Sequence, residues 1–196
     1  MRYEFLIDTY ETELLKVVSA WSMFHDEDLP FRPHPTDRRG RSLREHMVHQ
    51  CMSEDGWFKG MLGIDVGAPP LPATETRMEF IRRYAEDAGH RLDALRTKDE
   101  DWWEEEVGFF KVQRSRAWIM VRRIAHSSHH RGQQLALLRV LNRELHSNYG
   151  PSADTGGLPQ NKAPVVYAYA DLAALLSGAD KAPLPERPSL PVTERP

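Results

Sequence analysis

The sequence predicts an all-α protein, a four-helix bundle followed by a loop-rich C-terminal extension. Three observations indicate this fold class: four long segments carry apolar residues at helical spacing, two of them begin with a capping box, and no convincing series of strands is present. A chain of 196 residues with 40% apolar residues is long enough to form one domain with its own core.

The first two helices are separated by a long loop. Apolar residues recur every three or four positions from about residue 4 to 24, which is the pattern of an amphipathic helix. Prolines and a glycine between residues 26 and 41 indicate a loop. Ser42 and Glu45 then match a capping box, in which the hydroxyl accepts from a free backbone N–H and the carboxylate reaches back. The second helix is therefore expected to end near Leu62.

The third helix begins at another capping box, formed by Thr76 and Glu79, and its apolar stripe continues to Leu95. The next segment, residues 97–113, contains four large aromatic residues among acidic ones. Because this pattern is irregular, we expect a loop or a short strand there that packs on the helices.

The fourth helix is predicted from Ser115 to about His146, and Gly132 is the only interior residue that disfavours it. With this helix, the bundle domain covers residues 1–146. The interior of a four-helix bundle is a common place for metal and cofactor sites.

Beyond the bundle, the chain changes to loop-forming residues. Residues 147–182 are expected to form a loop and a short helix, between residues 165 and 176, that packs on the bundle. Asp154 and Thr155 are candidates to close over a pocket. Residues 183–196 contain five prolines among mostly polar neighbours, and we expect a disordered tail there.

Composition favours a small soluble partner. The net charge of −3 gives no basic excess, so nucleic acid and membrane surfaces are not expected as partners. The single cysteine, Cys51, has no partner for an internal disulfide, and the N-terminus lacks the profile of a signal peptide. No apolar run approaches the roughly 18 residues of a membrane span. A small-molecule substrate and a cytoplasmic location are therefore expected.

Two histidines one helical turn apart are the strongest functional signal. His126 and His130 lie about 40° apart on the fourth helix, on a stripe shared with Ile119 and Leu137 that faces the core. Neutral imidazoles among aliphatic side chains need hydrogen-bond partners, and a divalent cation meets that need. The alternative is a pair of core histidines with ordinary hydrogen bonds.

A catalytic metal site usually has three protein ligands, so a third should come from a facing helix. The second helix offers His46 and His49. We favour His49, because it shares its face with small residues, among them Gly56 and Gly60, that allow close helix approach or an open cavity. Glu45 could orient a ligand imidazole, although its capping role is the simpler interpretation.

Several neighbouring residues have less specific signals. His129 lies about 60° from the ligand stripe, where a rim position is favoured over ligation. Arg122 and Arg123 flank the His126 direction and could bind an anionic substrate group, or simply form a solvated flank. Cys51 points away from His49 and is expected to be a packing residue.

A family resemblance joins these features. The segment Leu43-Arg-Glu-His-Met-Val-His49, followed by Trp57, and the segment His126-x-x-x-His130-Arg-Gly-Gln133 resemble the DinB/YfiT-like family of metalloenzymes. The resemblance covers most of residues 1–145. It implies metal ligation by His49, His126 and His130, an antiparallel bundle with a long crossover, and a homodimer.

The resemblance also implies a reaction class. Family members with assigned activities are thiol transferases and isomerases that use bacterial low-molecular-weight thiols. Three neutral imidazoles would leave a divalent ion, expected to be zinc or nickel, close to its full charge, so that a thiol or water bound there is acidified. We therefore expect thiol transfer to a small electrophilic molecule, with Arg123 and Gln133 as candidate substrate contacts. Arg131 points away from the ligands and is expected to be a structural or interface residue.

Two alternatives stay open at the level of the sequence. One is a metal-dependent hydrolase that uses an acidified water. The other is a non-catalytic stress or structural protein in which the metal only joins two helices. A closed structural site would have a fourth protein ligand, whereas a catalytic site keeps a position open.

Overall fold

The fold of the computed structural model is mostly helical, with one small sheet, over the residues that it describes: 2–37, 39–67, 71, 74–157 and 162–186. Helices and strands in chain order are α1 Glu4–Ser22, α2 Leu43–Trp57, α3 Arg77–Arg96, α4 Glu100–Glu104, β1 Glu106–Phe109, β2 Val112–Ser115, α5 Arg116–Val140 and α6 Leu172–Leu176. None of the helices in these ranges is long and apolar enough to cross a membrane.

The core lies between α1, α2, α3 and α5. Helix α1 packs against α3 and α5, and α2 packs against α5 and α3. The apolar stripe of α1 supplies Trp21, which is fully buried with its ring centroid 5.0 Å from that of Tyr84 on α3. The indole N–H of Trp21 donates to the side chain of Gln134 on α5 at 3.0 Å, which joins three helices in one buried contact.

Both predicted capping boxes are confirmed. At α2, the Glu45 backbone N–H donates to the Ser42 hydroxyl at 3.2 Å, and the Ser42 N–H donates to the Glu45 carboxylate at 2.8 Å. The same reciprocal pair starts α3 at Thr76. Helix α2 continues into one π-helical turn, Phe58–Leu62, and stops at Gly63, whose φ of 68° suits glycine. The predicted end at Leu62 is therefore correct.

The segment before α5 folds into a short helix and a hairpin. The Asp99 side chain accepts from the Trp102 N–H at 2.9 Å and starts α4, which is too short to show a helical pattern in the sequence. Strands β1 and β2 are antiparallel, with Glu106 opposite Ser115. Their two-residue turn begins at Phe110, which has a φ of 52°.

Helix α5 ends at Val140, so the predicted end near His146 is wrong. Asn142 has a φ of 53°, the left-handed conformation that asparagine tolerates better than most residues. The Asn142 N–H donates to the Arg139 carbonyl at 3.1 Å, and the Arg143 N–H donates to the Leu138 carbonyl at 2.9 Å. This is a Schellman motif, which closes the helix although Leu145, four residues after Leu141, continues the spacing of the apolar stripe.

The C-terminal extension corrects two further expectations. Of the helix predicted over residues 165–176, Leu172–Leu176 is helical and residues 165–170 run without regular structure, while the Ser147 N–H donates to the carbonyl of residue 166 at 2.8 Å. Asp154 accepts from Arg139 at 2.5 Å, about 13 Å along α5 from His130, so it does not close over the histidines. Of the predicted disordered tail, residues 187–196 lie outside the described residues.

A buried ion pair fixes α5 against α1. One Arg131 amino group donates to both carboxylate oxygens of Glu13 at 3.0 and 2.9 Å, and both residues are nearly inaccessible, at 5% and 6% exposed. The other amino group donates to Asn148 at 2.5 Å. Asn148 in turn donates to the Lys16 carbonyl at 2.8 Å. The predicted structural role of Arg131 is confirmed.

We expect Arg131→Met to lower the free energy of unfolding by about 3 to 5 kcal/mol, because it leaves the Glu13 carboxylate buried without its cation. Urea denaturation followed by circular dichroism measures the change. Arg96→Met is the matched control, since the Arg96–Glu11 pair also joins a helix to α1 but is about half exposed, and exposed pairs contribute little. Equal effects of the two variants would contradict this account.

Gly132→Ala should raise the free energy of unfolding by about 0.5 to 1 kcal/mol, because alanine restricts the unfolded chain and favours helix. A Cβ atom at Gly132 meets nothing within 4 Å, and its backbone is helical. Gly63→Ala should instead lower the free energy of unfolding, because alanine is strained at the φ of 68°. A destabilised Gly132→Ala variant would show that this position has a packing role.

Candidate metal centre

Three imidazoles converge between α2 and α5. The Nε2 atom of His49 lies 3.0 Å from Nε2 of His130, which lies 3.2 Å from Nε2 of His126. The three potential ligand atoms all lie within 4.8 Å of one another. The three histidines that the sequence singled out therefore form one cluster, with His49 on α2 and the other two one turn apart on α5.

The spacing of these nitrogens fits a single ion. Three imidazole ligands at about 2.0 to 2.1 Å from a metal stand about 2.9 Å apart at octahedral angles and about 3.4 Å apart at tetrahedral angles. Two of the three separations, 3.0 and 3.2 Å, fall between these values, and the third, between His49 and His126, lies within 4.8 Å. The donor set, three nitrogens and no carboxylate, suits zinc, nickel, copper or iron.

The cluster is held in the neutral form that metal ligation requires. Two effects lower the pKa of His126 from 6.5 to about 4. Desolvation is the larger, and the positive charge of Arg123 is the second. Desolvation and the neighbouring imidazoles lower the pKa of His130 to about 3. Burial, followed by the charges of Arg41 and Arg123, also lowers the pKa of His49. All three imidazoles are therefore unprotonated at neutral pH.

The small residues of α2 leave space instead of allowing close helix contact. A Cβ atom at Gly56 or Gly60 would meet no atom within 4 Å. Of the two alternatives that the sequence left open, close helix approach is therefore wrong at these glycines, which border open space. Ser53, on the same face, touches α5 by accepting from Arg123 at 3.2 Å.

Arg123 is buried beneath the cluster and does not line its surface. Its guanidinium is completely inaccessible and donates to the Ser127 hydroxyl at 3.0 Å as well as to Ser53. Its Nε lies 3.6 Å from the Glu54 carboxylate. In this arrangement Arg123 acts on the site through its positive charge, and a direct contact with a substrate would require its side chain to move.

Glu54 is the centre of a buried network that the sequence analysis missed. Its carboxylate accepts from the hydroxyls of Tyr10 at 2.5 Å and Tyr84 at 2.7 Å, and from Arg91 at 3.2 Å. Together with Arg123, two arginines neutralise this one carboxylate. The signal was present in the sequence, since Glu54 and Arg91 interrupt the apolar stripes of α2 and α3.

An aromatic wall adjoins the histidines. The Trp57 ring stacks on His126 with centroids 5.7 Å apart and an interplanar angle of 30°. Phe109 and Phe110, at the tip of the hairpin, contact the Trp57 ring edge to face at 5.4 and 6.2 Å. Trp118 contacts Phe109 at 5.0 Å. Phe110 is 76% exposed, so this wall offers apolar surface beside the cluster.

The two other histidines near the cluster occupy different positions. His46 is buried with its ring 5.8 Å from that of His130, and burial lowers its pKa to about 4. His129 is exposed, and its Nε2 lies 3.2 Å from the side-chain nitrogen of Gln133. Neither belongs to the metal-ligand group found among the described residues.

The simpler interpretations of the remaining residues are confirmed. Glu45 caps α2 and pairs with Arg32. Cys51 is buried in the core, and burial raises the pKa of its thiol far above the usual range, which makes it unreactive. Arg122 is exposed, with its guanidinium 6.0 Å from the centroid of the Trp118 ring.

The fold and the cluster define a helical protein with a three-histidine site, and comparison with known proteins gives its family. The DinB family model matches residues 16–156. The chain therefore belongs to the DinB family. No curated protein matches it.

Two solved structures share this fold. A DinB-like protein from Bacillus cereus has a TM-score of 0.59 at 20% identity, covering 69% of this chain and 89% of its own. A DinB-like protein from Bacillus subtilis has a TM-score of 0.57 at 13% identity, covering 71% of this chain and 94% of its own. At these identities the comparison supports the fold and carries no information about the reaction.

The metal-free protein should lose stability as the pH falls from about 6.5 toward 4. The unfolded chain binds protons at the ordinary histidine pKa near 6.5, whereas the folded cluster resists them down to pKa values of about 4 and 3. The contribution of the neutral cluster to the free energy of unfolding is therefore fully present above pH 6.5 and decreases below that pH. His130→Asn, which cannot be protonated, should show a smaller decrease of unfolding free energy over this range. The same pH dependence in both proteins would contradict the proton resistance of His130.

Proposed function

We propose that the protein is a divalent-metal-dependent enzyme in which His49, His126 and His130 hold the ion, and that it transfers a thiol to a small electrophilic molecule. The observation that carries the proposal is the convergence of three neutral imidazole nitrogens at 3.0 and 3.2 Å. An ion held by three imidazoles supplies Lewis acidity, which lowers the pKa of a bound thiol or water.

The charges around the cluster favour an anionic substrate. The three ligands add no negative charge, and the fields of Arg41 and Arg123 act on the imidazoles from outside. Arg123 is fixed by Ser53 and Ser127, so its charge is present without reorganisation when a substrate arrives. A thiol that also carries a carboxylate, as some low-molecular-weight thiols do, suits such a field.

Thiol transfer is favoured over hydrolysis by the state of Glu54, a carboxylate close enough to influence His126. A water bound to the ion keeps a pKa near 7, so hydrolysis gains from a general base within reach of that water, whereas a bound thiol is deprotonated outright. Glu54, whose charge reaches His126, already accepts from Tyr10, Tyr84 and Arg91 and is completely buried. A thiol acidified by the ion needs no such base. The wall of Trp57 and Phe110 gives the apolar part of an electrophile a surface to lie against.

The finer features of the family also enter as proposals. We propose that α1, α2, α3 and α5 form the antiparallel four-helix bundle of DinB/YfiT-like proteins and that the protein forms a homodimer. Zinc and nickel are the proposed metals, because both accept three imidazoles and leave positions for a substrate.

Metal content tests the site. Protein purified without a nickel column should contain one divalent ion per chain by mass spectrometry, and His126→Ala should lose most of it because two imidazoles bind far less tightly than three. His90→Ala is the matched control, since it removes an exposed imidazole on α3. Equal metal in wild type and His126→Ala would refute the site.

Turnover tests the reaction. The metal-loaded protein should consume a thiol together with monochlorobimane or an epoxide, and His126→Ala should lose that activity. Hydrolysis of esters or amides in the absence of any thiol would instead support the hydrolase. Metal binding without either activity would support a structural role for the ion.

A further inference from the structure

We propose that Gln133 is a positioning residue that holds His130 in the tautomer whose Nε2 carries a lone pair, and that His129 sets the direction of the Gln133 amide. This inference rests on the proposed metal site. In this inference Gln133 positions the ligand His130, whereas the sequence analysis expected Gln133 to contact the substrate.

The side-chain amide of Gln133 contacts a histidine at each end. Its Oε1 lies 3.1 Å from Nδ1 of His130, and its Nε2 lies 3.2 Å from Nε2 of His129. Gln133 follows His130 by three positions and His129 by four, so all three side chains share one face of α5. The contacts are thus set by the local sequence and do not depend on another helix.

The direction of the amide decides where the His130 proton sits. A neutral imidazole has one N–H, and an acceptor at Nδ1 places that proton on Nδ1 and leaves a lone pair on Nε2. A reversed amide would donate to Nδ1 and force the proton onto Nε2. That proton would point at His49 and His126 and would prevent His130 from binding the ion.

His129 completes the productive arrangement in the tautomer whose Nε2 carries a lone pair. When its Nε2 accepts from the Gln133 amide N–H₂, the amide oxygen is left to face His130. His126 differs, because its Nδ1 is buried without a hydrogen-bond partner in the described part of the chain. His130, unlike His126, is therefore a ligand whose orientation and tautomer are controlled by a side chain.

Metal affinity and tautomer state test the proposal. Gln133→Ala should bind Zn²⁺ about 10- to 100-fold more weakly in a chelator competition, which is the usual effect of removing a group that orients a ligand histidine. Gln133→Glu should keep most of the affinity, because a carboxylate also accepts from Nδ1. His129→Ala should have a smaller effect than Gln133→Ala. Gln113→Ala, an exposed glutamine on β2, is the control.

The tautomer is read directly by ¹⁵N NMR of the imidazoles in metal-free protein. Wild type should show a single His130 tautomer protonated at Nδ1, and Gln133→Ala should show a mixture. An unchanged tautomer or an affinity within about twofold of wild type in Gln133→Ala would overturn the inference. If wild type bound no metal, the proposed function would fail, while the tautomer measurement would still decide the role of Gln133.

Discussion

Two buried arginines on α5 bracket the histidine pair, and the site depends on the partners that they require. Arg123 reaches Ser53 and Glu54 on α2, and Arg131 reaches Glu13 on α1. A shift of α5 along its neighbours would break these contacts. Such a shift is strongly unfavourable, because an uncompensated charge in a protein interior costs several kcal/mol. The register that satisfies both arginines is the one that brings His126 and His130 to His49.

The same burial sets the chemistry of the cluster. Desolvation keeps the imidazoles neutral, and the positive charge of Arg123 adds to this effect while contributing no ligand of its own. The Glu54 carboxylate offsets one of the two positive charges of Arg91 and Arg123 beneath the site. A divalent ion at the cluster would thus lie among neutral ligands, beside a wall of aromatic rings, with positive charge below it.

Much of this could be predicted from the sequence, because its signals are local. The capping boxes at Ser42 and Thr76 and the i, i+4 spacing of His126 and His130 act within one turn of helix. Long-range partners were not predictable in this way. Nothing near Glu54 in the sequence identifies Tyr10 or Arg91 as its partners, and only the packing of α1, α2 and α3 brings them together. The end of α5 was not predictable because the left-handed conformation of Asn142 ends the helix, whereas Leu145 continues the spacing of its apolar stripe.

The central claim is that three imidazoles of this chain hold one divalent ion, and X-ray absorption at the zinc edge tests it most directly. The zinc-loaded protein should show three imidazole ligands at about 2.0 to 2.1 Å, with the rest of the coordination sphere made of exchangeable oxygen donors. His126→Ala should show two imidazoles or no bound zinc. A wild-type spectrum with fewer than three imidazoles would contradict the account.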